Sequence, residues 1–149
     1  MATFVVRPAY LLRGIRRATE DDIPRILEIA RACYPVREVD KVLPWLKWIL
    51  NHEDRLSLIG AHSIGAASIT AHYGFEQRAR LDVLASLKPC SLEAFRMLRI
   101  MVQWAQQRGI EGSFRLDADT GVVFEPFARR LGGKAVTTTH YAIPLGVKP

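Results

Sequence analysis

Five titratable side chains of this sequence could act as a general base, the group that removes a proton from a reacting amine or hydroxyl. All lie on or beside predicted strands: Asp82, His72, Tyr73, His140 and Tyr141. A general base must lie within hydrogen-bond reach of the proton that it removes. Each side chain also has a purely structural interpretation, because it can lie on the solvated side of a strand, at a strand end or on an outer strand. The sequence alone therefore leaves the catalytic residue unknown.

Other catalytic and metal-binding motifs are missing from the sequence. It contains no GxSxG nucleophile motif, no HExxH zinc motif and no GxxxxGK[ST] phosphate loop. Its two cysteines, Cys33 and Cys90, form neither a CxxC pair nor a cluster with histidines at metal-ligand spacing. We therefore predict no metal site and expect both thiols to be reduced, as in the cytosol.

The segment from Leu87 to Arg96 reads LKPCSLEAFR and predicts the start of a helix, with Ser91 as its N-cap. A helix N-terminus attracts anions through its free N–H groups and its dipole. Two features oppose an anion at this one: the segment has no glycine to allow close approach, and Glu93 places a negative charge in the first turn. Three basic side chains could still reach a phosphate from the side: Lys88, Arg96 and Arg99.

The elements that must position these residues begin with a strand and two helices. Residues 14 to 18 predict a strand, and residues 19 to 22 predict the start of a helix that Pro35 ends. The apolar face of that helix comprises Ile23, Ile26, Leu27, Ala30 and Tyr34. A second helix is predicted from about residue 39 to residue 50, with Val39, Leu43, Leu46 and Leu50 directed inward.

Two tryptophans of the second helix, Trp45 and Trp48, cannot both share its inward face. We interpret both as covering the edge of the core, since tryptophan is usually mostly buried. The alternative is that an exposed tryptophan contacts a substrate.

Three strands and a long helix follow. Residues 56 to 61 and 64 to 73 predict a hairpin, and residues 80 to 87 predict the next strand, with one side formed by Leu81, Val83, Ala85 and Leu87. The helix then runs to Arg108, before Gly109. Its predicted buried residues are Leu92, Phe95, Leu98, Val102 and Ala105.

The last part of the chain predicts a strand, a short helix and a second strand. The first strand ends at Leu116, and Asp119 or Thr120 can cap the helix, whose buried stripe would be Val123, Phe127 and Leu131. Gly132 and Gly133 are expected to end it in the left-handed conformation. Residues 134 to 143 are rich in Val and Thr and predict a strand.

This layout, with the sequence FARRLGG from Phe127 to Gly133, resembles the C-terminal half of the GNAT superfamily of N-acetyltransferases. The sequence IRRATEDDIPRILEIA, from Ile15 to Ala30, and the glycine Gly65 also resemble that family. The resemblance spans residues 14 to 145 and implies a single-domain α/β (α+β) fold. Its central sheet would be mixed, mostly antiparallel and twisted, with helices on its flanks. We predict a GNAT-like domain at residues 14–149, preceded by an N-terminal arm at residues 1–13.

The resemblance implies an acetyl-CoA site between two strands that separate near Leu87 and Asp117. The positions that would contact the donor are Leu84, Ala85, Ser86, Leu87, Cys90, Ser91 and Arg96. The sequence departs from the family in two ways: the phosphate turn has no glycine, and Ala128 stands where many members carry a tyrosine that protonates the leaving thiolate. We therefore predict that side chains partly fill the gap, with Phe95 or Phe124 as the filling residue.

Two functions follow from the resemblance. The first is a GNAT-fold protein with a degenerate acetyl-CoA site, kept as a binding or structural component. Small proteins of this kind resemble some that bacteriophages encode, including virion-associated ones. The alternative is an active, divergent N-acetyltransferase that moves acetyl from acetyl-CoA to an amine of a small molecule or protein. The cofactor is acetyl-CoA if the site is competent.

Charge and hydropathy limit the possible partners and the location. The net charge is +6 and the pI about 9.7, but the only adjacent basic pairs are Arg16–Arg17 and Arg129–Arg130. No segment interleaves arginines with aromatic residues, so nucleic-acid binding is not favoured.

No apolar run approaches about 18 residues, and Arg7 and Pro8 interrupt the apolar N-terminus, so we expect neither a membrane span nor a signal peptide. The expected location is the cytoplasm, or a virion if a phage encodes the chain.

The N-terminal arm, residues 1–13, is too apolar for a free tail. It carries Phe4, Val5, Val6, Tyr10, Leu11 and Leu12. Exposed apolar segments usually mark contacts. We therefore predict that the arm binds a protein partner or a second copy of this chain, and the alternative is an extra edge strand of its own domain.

Overall fold

The computed structural model describes residues 14–72, 76–89, 91–117, 125–136, 139 and 141–146. These residues form one five-stranded sheet in the order β1-β2-β3-β4-β5. The strands are β1 (Arg16–Arg17), β2 (Arg55–Ile59), β3 (Ser63–His72), β4 (Glu76–Ser86) and β5 (Phe114–Arg115). Strands β1 to β4 pair antiparallel, whereas β5 pairs parallel to β4. The sheet is therefore mixed and mostly antiparallel, as predicted.

Five α-helices flank the sheet in the described part of the chain. They are α1 (Ile23–Cys33), α2 (Val36–Val42), α3 (Leu46–Asn51), α4 (Leu92–Gln107) and α5 (Glu125–Arg130). One core lies between the sheet and α4 and includes Leu58, Leu81 and Trp104. A smaller core lies on the opposite face, where α1 covers Ile59, Ile64 and Ala85. The sheet is thus the middle of three layers.

A β-bulge in β4 divides this strand into two parts. Val83 pairs with Ala66, but Leu81 pairs with the next residue of β3, Ala67, so Asp82 is the extra residue. The bulge reverses the alternation of side chains: Leu81 and Leu84 lie in the core under α4, whereas Ala85 lies in the core under α1. The prediction that Leu81, Val83, Ala85 and Leu87 share one side is therefore wrong, since a regular period of two does not allow for a bulge.

The buried face of α4 differs from the predicted one. Its buried residues are Ala94, Met97, Leu98, Ile100, Met101, Trp104 and Ala105. Leu98 and Ala105 were predicted correctly, but Leu92 is exposed, and Phe95 and Val102 are only half-buried. The predicted and the observed buried stripes of α4 both have helical spacing. Packing against the sheet buries the stripe that contains Trp104 and the two methionines. Gly65 of β3 provides room for this face, because a Cβ there would lie 3.2 Å from Met101 Cε.

The predicted helix at residues 39–50 is divided into separate pieces. Helix α2 ends at Val42, a single 3-10 turn covers Leu43–Trp45, and α3 begins at Leu46. Pro44 lies within this turn and cannot donate the backbone hydrogen bond that a continuous helix needs. Among the four residues predicted to point inward, Val39 is buried, whereas Leu43 is exposed.

The C-terminal strand predicted at residues 134–143 is not formed by the residues that the structure describes there. Lys134, Ala135, Val136, Thr139 and residues 141–143 are outside any strand. Val136 and Ile143 are highly exposed. High β propensity alone does not produce a strand, because a strand also needs a hydrogen-bonding neighbour.

Candidate functional site

The candidate site is the edge of β4 where its pairing with β5 stops. The two strands share only the pairs Ala79–Phe114 and Arg80–Arg115. Beyond Arg80, β4 continues to Ser86 without a further pair to β5 among the described residues. The gap that the resemblance implied, between β4 and the residues that follow β5, stays a prediction.

Backbone carbonyls on this open edge of β4 are contacted by side chains from the end of α1. The Tyr34 hydroxyl donates to the Leu84 carbonyl oxygen at 3.4 Å, and the Cys33 thiol donates to the Ser86 carbonyl oxygen at 3.4 Å. Leu84 and Ser86 are alternate residues, so their carbonyls point the same way from the strand. Burial raises the pKa of Tyr34 and so keeps its hydroxyl protonated as a donor. Groups of this chain thus occupy acceptors that a bound donor could use.

The turn between β4 and α4 uses its own backbone donors. The Leu87 N–H donates to the His62 carbonyl at 2.9 Å, and the Lys88 N–H donates to Ser86 Oγ at 3.2 Å. Pro89 has no N–H. Ser91 is the N-cap, as predicted, and its hydroxyl accepts from the Ala94 N–H at 3.2 Å. The N–H groups of Leu87, Lys88 and Ala94 are therefore already used within the protein.

Glu93, in the first turn of α4, binds the tip of the β2–β3 hairpin. Its carboxylate accepts hydrogen bonds from the N–H groups of Ala61, at 3.0 Å, and His62, at 2.9 Å. A carboxylate that accepts two backbone hydrogen bonds is held firmly in place. Glu93 therefore connects two parts of the fold and keeps a negative charge beside the N-terminus of α4, where an anionic ligand would be repelled.

Aromatic contacts join α4 and α5, the helices that precede and follow β5. The ring centroids of Phe95 and Phe127 lie 5.6 Å apart, and the Arg130 guanidinium lies 5.6 Å from the centroid of the Phe95 ring. Phe127 also packs against the core under α4. Phe95 thus contacts the opposite helix, and its predicted role in filling the gap stays a prediction. Phe124, the other predicted filling residue, lies outside the described residues.

The turn after α5 explains the two glycines of the FARRLGG sequence. Gly132 has a φ of +80°, the left-handed conformation predicted for it. Gly133 does not share this conformation, but it must still be small, because a Cβ there would lie 3.0 Å from the Ala128 carbonyl oxygen. Its N–H donates to that oxygen at 2.7 Å. Ala128 therefore takes part in a tight turn, and its side chain brings no acidic group to the site.

The structure does not gather the predicted general bases into one place. Asp82 is half-buried and forms ion pairs with Arg80, at 3.0 Å, and Arg55, at 3.5 Å, so its carboxylate has a structural role. The prediction that it lies on the solvated side is therefore only partly right. Tyr141 is 91% exposed. His72 ends β3, where its side chain is not described, and Tyr73 and His140 lie outside the described residues.

The predicted donor-contact residues are close together but differ in exposure. Leu84 and Ala85 are buried in opposite cores, and Leu87 is exposed. Ser86 Oγ accepts a hydrogen bond from Ser63 Oγ at 2.9 Å. Arg96 is half-buried on α4, and Cys90 lies outside the described residues. Their role in binding a donor remains a prediction.

Sequence reasoning missed Tyr34, Cys33 and Arg55 as residues of this region. Tyr34 and Cys33 contact β4 from about 50 positions earlier in the chain. No local pattern reports a contact over such a distance. The only signal was Pro35, which ends the helix near these two residues.

The expectation that the two tryptophans cover the core edge is wrong. Trp45 is 63% exposed and Trp48 is 53% exposed. Trp48 borders a surface groove formed by Glu20, Lys47, Trp48, Asn51, His52 and Glu53. Both indole rings are thus exposed, and the Trp48 ring also contacts the His52 ring, with 4.6 Å between centroids, and the Arg55 guanidinium.

Within the described ranges, no group of three or more His, Cys, Asp or Glu side chains could hold a metal ion. No helix in the same part of the chain is long and apolar enough to cross a membrane.

Solved structures match this chain over most of its length. The aminoglycoside 6'-N-acetyltransferase AAC(6')-IG from Acinetobacter haemolyticus, without ligand, matches with a TM-score of 0.70 and 20% identity, covering 88% of this chain and 97% of that chain. AAC(6')-Iy in complex with CoA matches with a TM-score of 0.70 and 15% identity, covering 88% and 93%. An integron cassette protein from the mobile metagenome of Cole Harbour Salt Marsh matches with a TM-score of 0.68 and 13% identity, covering 91% and 92%.

The chain matches no protein-family model, and no curated protein sequence matches it significantly. At identities of 20% and below, the likeness to solved structures establishes the fold. The described residues form an open, mixed sheet between helical layers. The chain has the GNAT N-acetyltransferase fold, in agreement with the resemblance of its sequence.

Proposed function

We propose that this chain is a GNAT-fold protein with a remodelled acetyl-CoA site, and that it acts as a binding or structural component. The observation that carries the proposal is the internal use of donors between Leu87 and Phe95. Leu87, Lys88, Ala94 and Phe95 donate their N–H groups within the protein. Binding a pyrophosphate through backbone N–H groups requires donors that are free and convergent.

Two further features support a remodelled site. Glu93 keeps its carboxylate beside the N-terminus of α4, where it opposes a second anion. Ala128 supplies no proton donor for a leaving thiolate, and the hydroxyl of Tyr34 donates to the Leu84 carbonyl. Donor binding and acid catalysis are thus both weakened in the same region.

The proposal includes partners and a location. A binding or structural component needs a contact surface, and the apolar arm at residues 1–13 supplies a candidate for a protein partner or a second copy. The location proposed is the cytoplasm, or a virion if a bacteriophage encodes the chain. Deletion of residues 1–13 and measurement of mass by light scattering test the arm: loss of a larger assembly supports it, and an unchanged particle contradicts it.

Calorimetric titration of acetyl-CoA tests the remodelled site. We expect no saturable heat with acetyl-CoA at millimolar concentration. AAC(6')-Iy, solved in complex with CoA, serves as the positive control for the titrant and the instrument. Micromolar binding to this chain would overturn the proposal.

A second candidate function is an active N-acetyltransferase with a divergent donor site. The observation that favours it is the stretch of β4 from Leu81 to Ser86, which has no β5 partner among the described residues and could pair with the amide groups of a pantetheine arm. Release of the CoA thiol in the presence of a panel of small amines and proteins tests it. Steady release that depends on both acetyl-CoA and an amine supports the enzyme, and its absence at millimolar donor contradicts it.

A further inference from the structure

Four residues form a row across the sheet, on the face opposite to α4. Arg55 on β2 is opposite Ser68 on β3, Ser68 is opposite Arg80 on β4, and Arg80 is paired with Arg115 on β5. Directly opposed residues of neighbouring strands share one face of a sheet, and the strands lie about 4.8 Å apart. The register therefore places three arginines within a band of about 14 Å, although they are distant in sequence.

Two of these arginines have unused hydrogen-bond donors. Arg80 uses its Nε on Asp82 at 3.0 Å, and Arg115 uses its Nε on Asp117 at 2.7 Å. The terminal Nη groups of both side chains have no partner among the residues that the structure describes. Both side chains are half exposed, at 53% and 50%. Paired Nη donors fit the oxygens of a phosphate better than a single ammonium does.

Ser68, in the middle of the row, supplies an independent sign of an incomplete site. Its side-chain oxygen is buried and has no hydrogen-bond partner in the described part of the chain. Buried hydroxyl groups are normally paired, because leaving one unpaired is costly. Because this hydroxyl is buried, a bridging water between Arg55 and Arg80 would supply the missing partner.

An aromatic side chain ends the row. The Arg55 guanidinium lies 5.4 Å from the centroid of the Trp48 ring, and Trp48 is about half exposed. Arg55 also forms an ion pair with Asp82, which continues to Arg80. The Trp48 indole therefore continues the row that the arginines form. We call these five residues the arginine row: Trp48, Arg55, Ser68, Arg80 and Arg115.

We propose that the arginine row binds single-stranded nucleic acid. Free guanidinium donors suit the phosphates of a backbone, and an exposed indole suits the face of a base. Arg80 and Arg115, each about half exposed, would contact the strand from the solvent side. The net charge of +6 favours the approach of any polyanion, but the indole distinguishes a nucleic-acid strand from an acidic peptide. The inference goes beyond the function proposed above, since none of the residues predicted to contact the acetyl-CoA donor belongs to the arginine row.

Fluorescence anisotropy with a labelled oligothymidylate of about 12 nucleotides tests this inference. The full chain is titrated at several salt concentrations. We expect saturable binding whose affinity falls with salt, and a loss of at least about tenfold in the double variant Arg80→Ala/Arg115→Ala. The salt slope should decrease by about 0.7 for each arginine removed. Trp48→Ala should weaken binding without changing the slope, because stacking releases no counterions.

Arg31→Ala is the matched control. Arg31 is also a half-exposed arginine paired with an aspartate, Asp40 at 3.0 Å, but it lies on α1 and does not belong to the arginine row. This variant should bind as the unmodified chain does. If the double variant does not fold, as judged by circular dichroism, Arg115→Ala alone replaces it, because Arg115 is half exposed and near the sheet edge.

Three outcomes would overturn the inference. They are no binding at low salt, an equal loss in Arg31→Ala, and equally effective displacement of the oligonucleotide by polyglutamate. Acetyl-CoA is added in a separate competition. If acetyl-CoA does not displace the oligonucleotide, the two ligands bind at distinct sites, which supports the inference. If acetyl-CoA displaces it fully, the oligonucleotide binds at the acetyl-CoA site, which contradicts the inference. The calorimetric titration of acetyl-CoA tests the remodelled site separately, so either proposal can fail without the other.

Discussion

Gly60 lies directly against the carboxylate of Glu93. A Cβ at position 60 would be 2.5 Å from Glu93 Cδ, a distance that no real Cβ tolerates. The glycine thereby leaves space for the carboxylate to accept hydrogen bonds from Ala61 and His62. This contact fixes the hairpin tip to the first turn of α4, so it determines the shape of the candidate donor site.

Gly60→Ala should destabilise the fold by displacing the Glu93 carboxylate. The expected loss in the free energy of unfolding is about 1–3 kcal/mol, the range for hydrogen bonds to a charged group. Glu93→Ala should cost a similar amount, because it removes the same two bonds. Urea denaturation of both variants measures these changes.

The double variant Gly60→Ala/Glu93→Ala separates this contact from other effects. If Gly60→Ala acts through Glu93, the double variant should be no less stable than Glu93→Ala alone. Strictly additive losses would show that the added methyl group acts elsewhere.

Asp22 should give this protein a distinct loss of stability in acid. Its carboxylate accepts hydrogen bonds from both Nη groups of Arg16, at 2.7 and 2.6 Å, which lower the Asp22 pKa to about 2. Because this pKa lies below the value of about 3.9 in an unfolded chain, the folded state binds fewer protons. The stabilisation is therefore complete above about pH 4 and is lost as the pH falls toward 2.

Asp22→Asn is the test of this acid dependence. The variant should be less stable than the unmodified chain at neutral pH, and the difference should shrink as the pH falls through the window from 4 to 2. Thermal unfolding at a series of pH values measures it. A difference that is constant over that window would contradict the role of the Arg16–Asp22 pair.

Ser68→Ala should stabilise the protein in the absence of ligand. The Ser68 hydroxyl is buried without a partner, so removing it relieves an unsatisfied polar group. The expected gain in the free energy of unfolding is about 1 kcal/mol. Ser63→Ala is the matched control, because the Ser63 hydroxyl is bonded to Ser86 Oγ at 2.9 Å and its loss should destabilise. Destabilisation by Ser68→Ala would mean that its hydroxyl is already paired, through water or otherwise.

Two tryptophans should respond in opposite ways to truncation. Trp104 is 1% exposed and lies in the core under α4, so Trp104→Ala should cost about 3–5 kcal/mol. Trp45 is largely exposed, so Trp45→Ala should change stability by no more than about 0.5 kcal/mol. Denaturant titration followed by circular dichroism compares the two. Similar losses in both variants would indicate that Trp45 is buried in solution, for example in an assembly.

The sequence by itself determined the order of most elements and several local features. Ser91 caps α4, and Gly132 takes a left-handed conformation, because both properties depend on a few neighbouring residues. The resemblance at residues 127–133 indicated the GNAT fold correctly. The absence of glycine near Ser91 and the alanine at position 128 were also visible without a structure.

Only the tertiary structure decided which faces are buried and which side chains meet. The bulge at Asp82 changed which side chains of β4 lie on each face of the sheet. Packing on the sheet determined that the Trp104 face of α4 is buried. The sequence could not anticipate that Glu93 would bind a hairpin 31 positions earlier, or that arginines of three different strands would align. Local propensity acts over a few residues, whereas strand register brings together residues that are far apart in the chain.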